Sequence, residues 1–425
     1  MSSRDINSDM CIYRKRGNMY TAQHLAITSN AGVTRQESRC IVSGHARTRR
    51  NQFVWAMAVS GMLLVGSNLD AQEIVHTTAT MSKKRVYAAA TSVGHLALFG
   101  GGAGSYTVDI FDANTGLWST SSFSEARSYL GAASVGNYAI FAGGLRSINV
   151  PSSTVDIYDA RTGQWSVTTL SQARYALAAC TVGRYALFAG GNPTTGGDSD
   201  RVDIFDSGSG RWSTTTLSAP GCFLAATSVG NYAIFAGGDG ATRSGLRDTV
   251  DIFDASTGQW STAKLSKART SLCATSIGDY AFFAGGWGTD GNGYGPCDNI
   301  DVFNARTGEW STAKLSVPRD DMAAASAGDY SFFGGGNDPL SKVVDIFDAS
   351  TNQWITTTLS TARRDMAATS VGDYVLLAGG YNSSGSISNV VDIYKVPEPA
   401  TLSLLAMGGL AVLRRSSGQG PRRRK

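Results

Sequence analysis

Histidine is almost missing from this chain. There are four in 425 residues, and only His76 and His95 lie beyond the first fifty. That scarcity excludes a Ser-His-Asp catalytic set and any metal centre built on paired imidazoles. Cysteine is also sparse, six in all, with neither metal-ligand spacing nor a disulfide framework. Long apolar runs are absent: residues 53–65 and 402–413 are mostly apolar, and each falls short of the ~20 residues a membrane span needs. Acidic and basic groups nearly cancel, at a formal +4, but the balance is uneven along the chain. Residues 1–50 hold nine basic and three acidic groups and residues 401–425 hold six basic and none acidic, which leaves residues 51–400 at −8. An acidic body argues against nucleic-acid binding, and the basic ends read as targeting devices.

Glycine, by contrast, is abundant, and its placement is periodic. Pairs fall at Gly101-Gly102, Gly143-Gly144, Gly190-Gly191, Gly237-Gly238, Gly285-Gly286, Gly335-Gly336 and Gly379-Gly380. Tryptophan recurs at Trp118, Trp165, Trp212, Trp260, Trp310 and Trp354. The unit reads clearly from Arg127: a small-residue run to Gly136, then Tyr138-Ala139-Ile140-Phe141-Ala142 before the glycine pair. A variable loop follows, then Val155-Asp156-Ile157-Tyr158-Asp159, a turn through Gly163, Trp165 and a Thr-rich run. A period of this size with turn chemistry inside it marks a radially repeated all-β fold. Each unit predicts a four-stranded antiparallel sheet whose second and third strands, almost continuously apolar, are covered on both faces. The glycine-rich stretches are turns of the repeat and open no helix, so they are not phosphate-binding loops. Cys180 and Cys273 occupy small-residue columns and read as buried thiols. Cys222 begins a unit and Cys297 sits in a loop, and the sequence leaves their pairing open.

The seventh unit ends without a Trp strand of its own. Upstream of the first unit, His76-Thr77-Thr78 aligns with Trp354-Ile355-Thr356, each nine residues before an Arg. The expectation is that this N-terminal strand completes the last sheet, with His76 in the Trp slot, and leaves no open edge. The Trp repetition predicts buried indoles.

The diglycine after an apolar run, the Asp-Ile-Tyr/Phe strand and the spaced Trp resemble the kelch family over about three quarters of the chain. The resemblance implies a seven-bladed β-propeller, closed by an N-terminal strand, over residues 72–395. It implies no activity, since such domains serve as enzymes, adaptors and glycan binders. The copper-radical oxidases, also kelch-like, need paired histidines that are not here. A sialidase would need an arginine cluster with free carboxylates, whereas the acids of this chain belong to repeated turns.

Both ends read as export signals. Arg47-Thr48-Arg49-Arg50 and the apolar run after it predict a secretory signal over residues 47–71. Residues 1–46 are polar, without periodicity, and read as unstructured or as lying upstream of a true start near Val42. At the other end, Pro397-Glu398-Pro399, the apolar run and the basic tail resemble a PEP-CTERM sorting signal over residues 396–425. That resemblance implies a short hydrophobic sorting helix, transient association with the inner membrane and processing by an exosortase-type enzyme. It also implies delivery to the surface or extracellular matrix of a Gram-negative-type bacterium.

Two sets of residues stand out as candidate sites. Arg85, Arg127, Arg174, Arg269, Arg319 and Arg363 open the units, with Gly221 in the fourth. They either line one mouth of a central channel, where guanidinium suits an acidic sugar, or pair with acids such as Asp279, Asp329 and Asp373 and tie blades together. The repetition favours the second. The loops after the glycine pairs vary while their flanks stay fixed, which is where binding residues collect. Trp287, Tyr294 and Tyr381 are candidate sugar-stacking groups, with Arg146, Arg243 and Arg247 as polar partners; Asp290-Gly291-Asn292 is too small a set for calcium. The expectation is a non-enzymatic binding or scaffold protein, without a cofactor, that engages polysaccharide or a surface protein through its loops. The alternative is a lyase- or epimerase-type carbohydrate-active enzyme at the channel mouth. A converging Arg–Tyr–carboxylate cluster favours the enzyme, and saturated arginines favour binding.

Overall fold

The computed structural model describes residues 12–15, 18–21, 73–240, 245–289 and 293–397. The segments expected to carry the secretory signal and most of the sorting signal lie outside these, as do Arg243 and Asp290-Gly291-Asn292. The chain divides into two units, residues 1–68 and 69–425. In the first, Ile12–Lys15 pairs antiparallel with Asn18–Thr21. No helix among the described residues is long and apolar enough to cross a membrane.

The second unit is all-β among its described residues and contains seven four-stranded antiparallel sheets. Each runs from an inner strand to an outer one. The second sheet, for example, holds Gly131–Val135, Tyr138–Ala142, Thr154–Asp159 and Gln164–Thr169 in that order. Inner strands such as Gly131–Val135 alternate between buried and half-buried residues, while Ala139, Ile140, Phe141 and Ala142 of the next strand are fully buried. The outer strands, rich in Ser and Thr, face solvent along most of their length. This gradient is what the sequence pattern implies: apolar runs lie between neighbouring sheets, and polar runs form the rim.

Core clusters cross from sheet to sheet. Ile140 and Val155 of the second pack with Phe188 and Phe205 of the third. Leu376 and Val391 of the seventh pack with Phe99 and Phe111 of the first. The inner strands are neighbours in chain order, and Ala367–Val371 of the seventh sheet lies against Ala89–Val93 of the first. The outer strand of the seventh sheet is Val75–Thr80, paired with Val390–Lys395. There His76 faces Tyr394, as Trp165 faces Tyr158 in the second sheet, and stacks on it at 4.4 Å where the indole is tilted against its tyrosine. The indoles are half-buried rather than buried, because they belong to the rim strands. The Trp165 indole N–H donates to Ser121 Oγ of the preceding rim strand at 2.8 Å.

The glycine pairs have a steric cause. The N–H of Gly144 donates to the Arg174 carbonyl at 2.9 Å, and that of Gly102 to the Arg127 carbonyl at 2.8 Å. The same bond runs from Gly380 in the seventh sheet to Arg85 at the opening of the first, at 2.7 Å. The backbone of one unit therefore presses on the diglycine of the unit before it. Gly143 has φ +67°, and a Cβ there would lie 2.5 Å from the Arg174 carbonyl oxygen. Gly143→Ala should cost about 2–4 kcal/mol through strain and overpacking. Thermal and urea unfolding check this, and a variant that melts with the parent contradicts the packing described.

Candidate functional site

Between each rim strand and the next inner strand the chain turns inward, and three residues after a serine fixed in all seven units stands the arginine column. All six arginines are fully buried. Arg127 donates through Nη1 to the Gly143 carbonyl at 2.8 Å and through Nη2 to Asp156, whose other oxygen accepts the Ser124 N–H at 2.9 Å. Arg85, Arg174, Arg269, Arg319 and Arg363 repeat this with Asp109, Asp203, Asp301, Asp345 and Asp392. Their partners are thus the aspartates of the third strands rather than Asp279, Asp329 or Asp373, and Asp279 pairs at the surface with Arg306. Burial pulls the Arg127 guanidinium below its ordinary pKa, and the charges of Asp156 and Glu125 oppose that pull. Fully enclosed and ion-paired through Nη2, these arginines present no face to an external anion, although Nε of Arg127, Arg174, Arg269, Arg319 and Arg363 has no hydrogen-bond partner among the described residues.

The fourth unit breaks the column with Gly221. A Cβ on that glycine would sit 2.8 Å from Nη1 of Arg247, which also donates to the Ala219 carbonyl at 2.9 Å and to that of Pro220. Arg247, expected as a loop ligand, instead sits against Gly221, where the other units have the opening arginine.

Two residues past each arginine, and past Gly221 in the fourth unit, the sequence does not repeat. Tyr87, Tyr129, Ala176, Phe223, Ser271, Asp321 and Asp365 occupy that position, and all seven have left-handed φ, from +50° to +57°. Such a conformation is costly for bulky residues and persists only where surroundings impose it. Here the imposition is a chain of backbone bonds: Tyr129 N–H to the Tyr87 carbonyl, Ala176 to Tyr129, Phe223 to Ala176, Asp321 to Ser271 and Asp365 to Asp321, at 2.9–3.2 Å. The turns converge on a cavity of about 340 Å³ lined by Tyr87, Tyr129, Phe223, Ser271, Asp321 and Asp365 with apolar neighbours. That volume is at the small end of the range of about 300–1,000 Å³ usual for ligand sites.

The loops after the glycine pairs reach the same mouth. The residue before each left-handed position bridges to the first loop residue, as Thr270 does to Trp287 and Arg364 to Tyr381. Of the residues singled out in sequence, Tyr381 therefore belongs to the mouth, and half-buried Trp287 adjoins it through Thr270, next to Ser271. Tyr294 and Arg146 are exposed on hairpin arms.

The mouth is chemically two-sided. Tyr87 and Tyr129 stack at 4.0 Å, Tyr381 meets Tyr87 edge-on at 5.9 Å, and Phe223 meets Tyr129 at 6.2 Å. Opposite in character are the carboxylates. Arg364 Nη1 lies 3.0 Å from Asp365 and 3.7 Å from Asp321, and the guanidinium covers the Tyr381 ring at 5.3 Å. Burial and the neighbouring Asp321 charge raise Asp365 to about 7, with Arg364 opposing. Burial and Asp321 raise Asp320 to about 6, and burial raises Asp321 against a hydrogen bond from Ser271. Clusters of perturbed acids in a concave site mark functional positions. The signal that could have found them was visible in sequence: a variable column between fixed flanks, the argument already applied to the loops.

Comparison with known proteins adds one finding. The family described as Kelch motif matches residues 126–169, the second of the repeated units. No curated protein matches the chain. The motif match and the repeated four-stranded sheets together support a kelch-type β-propeller.

Two outcomes follow. Asp156→Ala strands the buried Arg127 and should cost about 3–5 kcal/mol in chemical denaturation, since breaking a buried pair leaves an uncompensated charge. Asp365→Asn should act in the other direction at alkaline pH. Because the native-state pKa stands near 7 against an ordinary 3.8, the folded protein holds that proton longer. The stabilisation this gives is full at low pH and fades as pH rises to about 7. The variant should lose that pH dependence and be more stable than the parent by about 1–2 kcal/mol at alkaline pH, read from melting curves across pH.

Proposed function

We propose that the seven sheets are the blades of a kelch-type propeller, clasped by the Val75–Thr80 strand, and that the protein binds a polysaccharide at its loop-face mouth. Kelch repeats in general serve protein interaction and scaffolding, and the polysaccharide reading rests on the chemistry of the cavity instead. The observation that carries it is the cavity itself: six of the seven left-handed positions place tyrosine, phenylalanine, serine and aspartate in the wall of a concave site. Aromatic faces suit the apolar side of sugar rings, and carboxylates and hydroxyls suit their polar edges. The ends of the chain fit the same reading, as an exported protein sorted by a PEP-CTERM-like signal through an exosortase to the cell surface or matrix.

A lyase- or epimerase-type enzyme at the same mouth is the second reading. It is favoured by the convergence of Arg364, Tyr381, Tyr87 and Asp365, the last with a pKa near 7 suited to moving protons. Calorimetric titration of the purified protein with the producing organism's extracellular polysaccharide separates the two. Saturable binding with polymer size unchanged, weakened roughly tenfold by Phe223→Ala, is the expected result. Shortened polymer would replace binding with catalysis, and no heat with no cleavage would overturn both.

A further inference from the structure

The mouth carries more negative charge than its own residues balance. Asp321 and Asp365 line the cavity. Asp320, next in the chain, is more than nine-tenths buried, and its Oδ1 has no hydrogen-bond partner among the described residues. Against these three carboxylates the neighbouring cation is Arg364, already held by Asp365 and with one face given to Tyr381. In a half-enclosed site an uncompensated carboxylate attracts a cation strongly. On the other side stand Tyr87, Tyr129 and Phe223, the last 38% exposed. Aromatic faces add to the attraction for an ammonium group and offer a platform for a sugar ring.

We infer that this mouth recognises the protonated amine of an amino sugar, in a polysaccharide whose amino groups are free rather than acetylated. The inference rests on the polysaccharide-binding reading and narrows it. A ring-shaped ligand with one ammonium group uses both halves of the cavity, with the amine toward Asp321 and Asp365, a hydroxyl toward Ser271 and the ring's apolar face toward Phe223. A lysine side chain would satisfy the acids and leave the aromatic wall bare. Acetylation removes the charge and adds bulk where the carboxylates stand.

The test is calorimetry on the purified full chain, near neutral pH, with glucosamine oligomers of one length in fully deacetylated and fully N-acetylated forms. The deacetylated oligomer should bind saturably and at least tenfold more tightly, and added salt should weaken it. Asp321→Asn and Asp365→Asn should each lose roughly tenfold in affinity while melting no lower than the parent. Arg364→Gln, which removes the competing cation, should bind the deacetylated oligomer more tightly, a gain that a damaged fold would not produce. Equal binding of the two oligomers, weakened by Phe223→Ala, would overturn the amine and leave polysaccharide binding standing. Binding to the organism's own polymer and to neither oligomer would do the same. A lysine-rich peptide binding more tightly than the deacetylated oligomer would overturn the inference in favour of a protein partner. No binding to oligomer, polymer or peptide would bring down both readings.

Discussion

Everything in the repeated region depends on one contact, the backbone of each unit's opening turn pressed into the diglycine of the unit before. Its carbonyl accepts the N–H of the second glycine, at 2.7–2.9 Å in all seven places. No side chain fits at the first glycine without meeting that oxygen. The approach brings a buried guanidinium with it, and a guanidinium without a partner in this interior would be expensive. The third-strand aspartate supplies the charge and the first glycine's carbonyl supplies a second acceptor. The Gly-Gly pair, the Arg and the Asp of the Asp-Ile-Tyr/Phe strand therefore form one device in three pieces of sequence, and this explains why they recur together.

Fixing the turn so firmly frees the residue two positions on. Its backbone is held left-handed by bonds to the neighbouring turn, so its side chain contributes little to holding the fold. A site then needs no special loop: seven positions around one mouth can be changed singly while the scaffold stays constant. The strain they carry is tolerated because the packing around them over-determines it.

Much of this was legible in the sequence. The glycine pairs, apolar runs and turn residues led to four-stranded sheets, and the alignment of His76 with Trp354 matches the pairing of His76 with Tyr394. Burial was read less well for tryptophan, since repetition shows that a position matters and not how deep it lies. Arginine was legible as a column, but its partner was not. Arg127 and Asp156 are 29 residues apart, and only the strand order places them together. The mouth residues were passed over because Tyr87, Phe223, Ser271 and Asp365 share no chemistry. Their kinship is a φ angle, which the letters show only as a variable column between fixed flanks.

The fourth unit shows what the device tolerates. Gly221 removes the arginine, yet the Gly191 N–H still donates to the Gly221 carbonyl at 2.8 Å, and Asp251 still accepts the Ser218 N–H. Arg247 enters from the loop to occupy the gap, and burial lowers its pKa against the pull of Asp251. A guanidinium thus stands near that space although no arginine opens the unit, bonded to the Ala219 and Pro220 carbonyls rather than repeating the Arg–Asp pair. The same logic separates scaffold from site. Beside Gly221 the loop supplies Arg247 where the opening arginine is missing. Around Asp320, Asp321 and Asp365 it supplies one guanidinium to three carboxylates. A fold that places a cation beside Gly221 in one unit and leaves acids in excess around its cavity holds that excess where a cationic ligand can answer it.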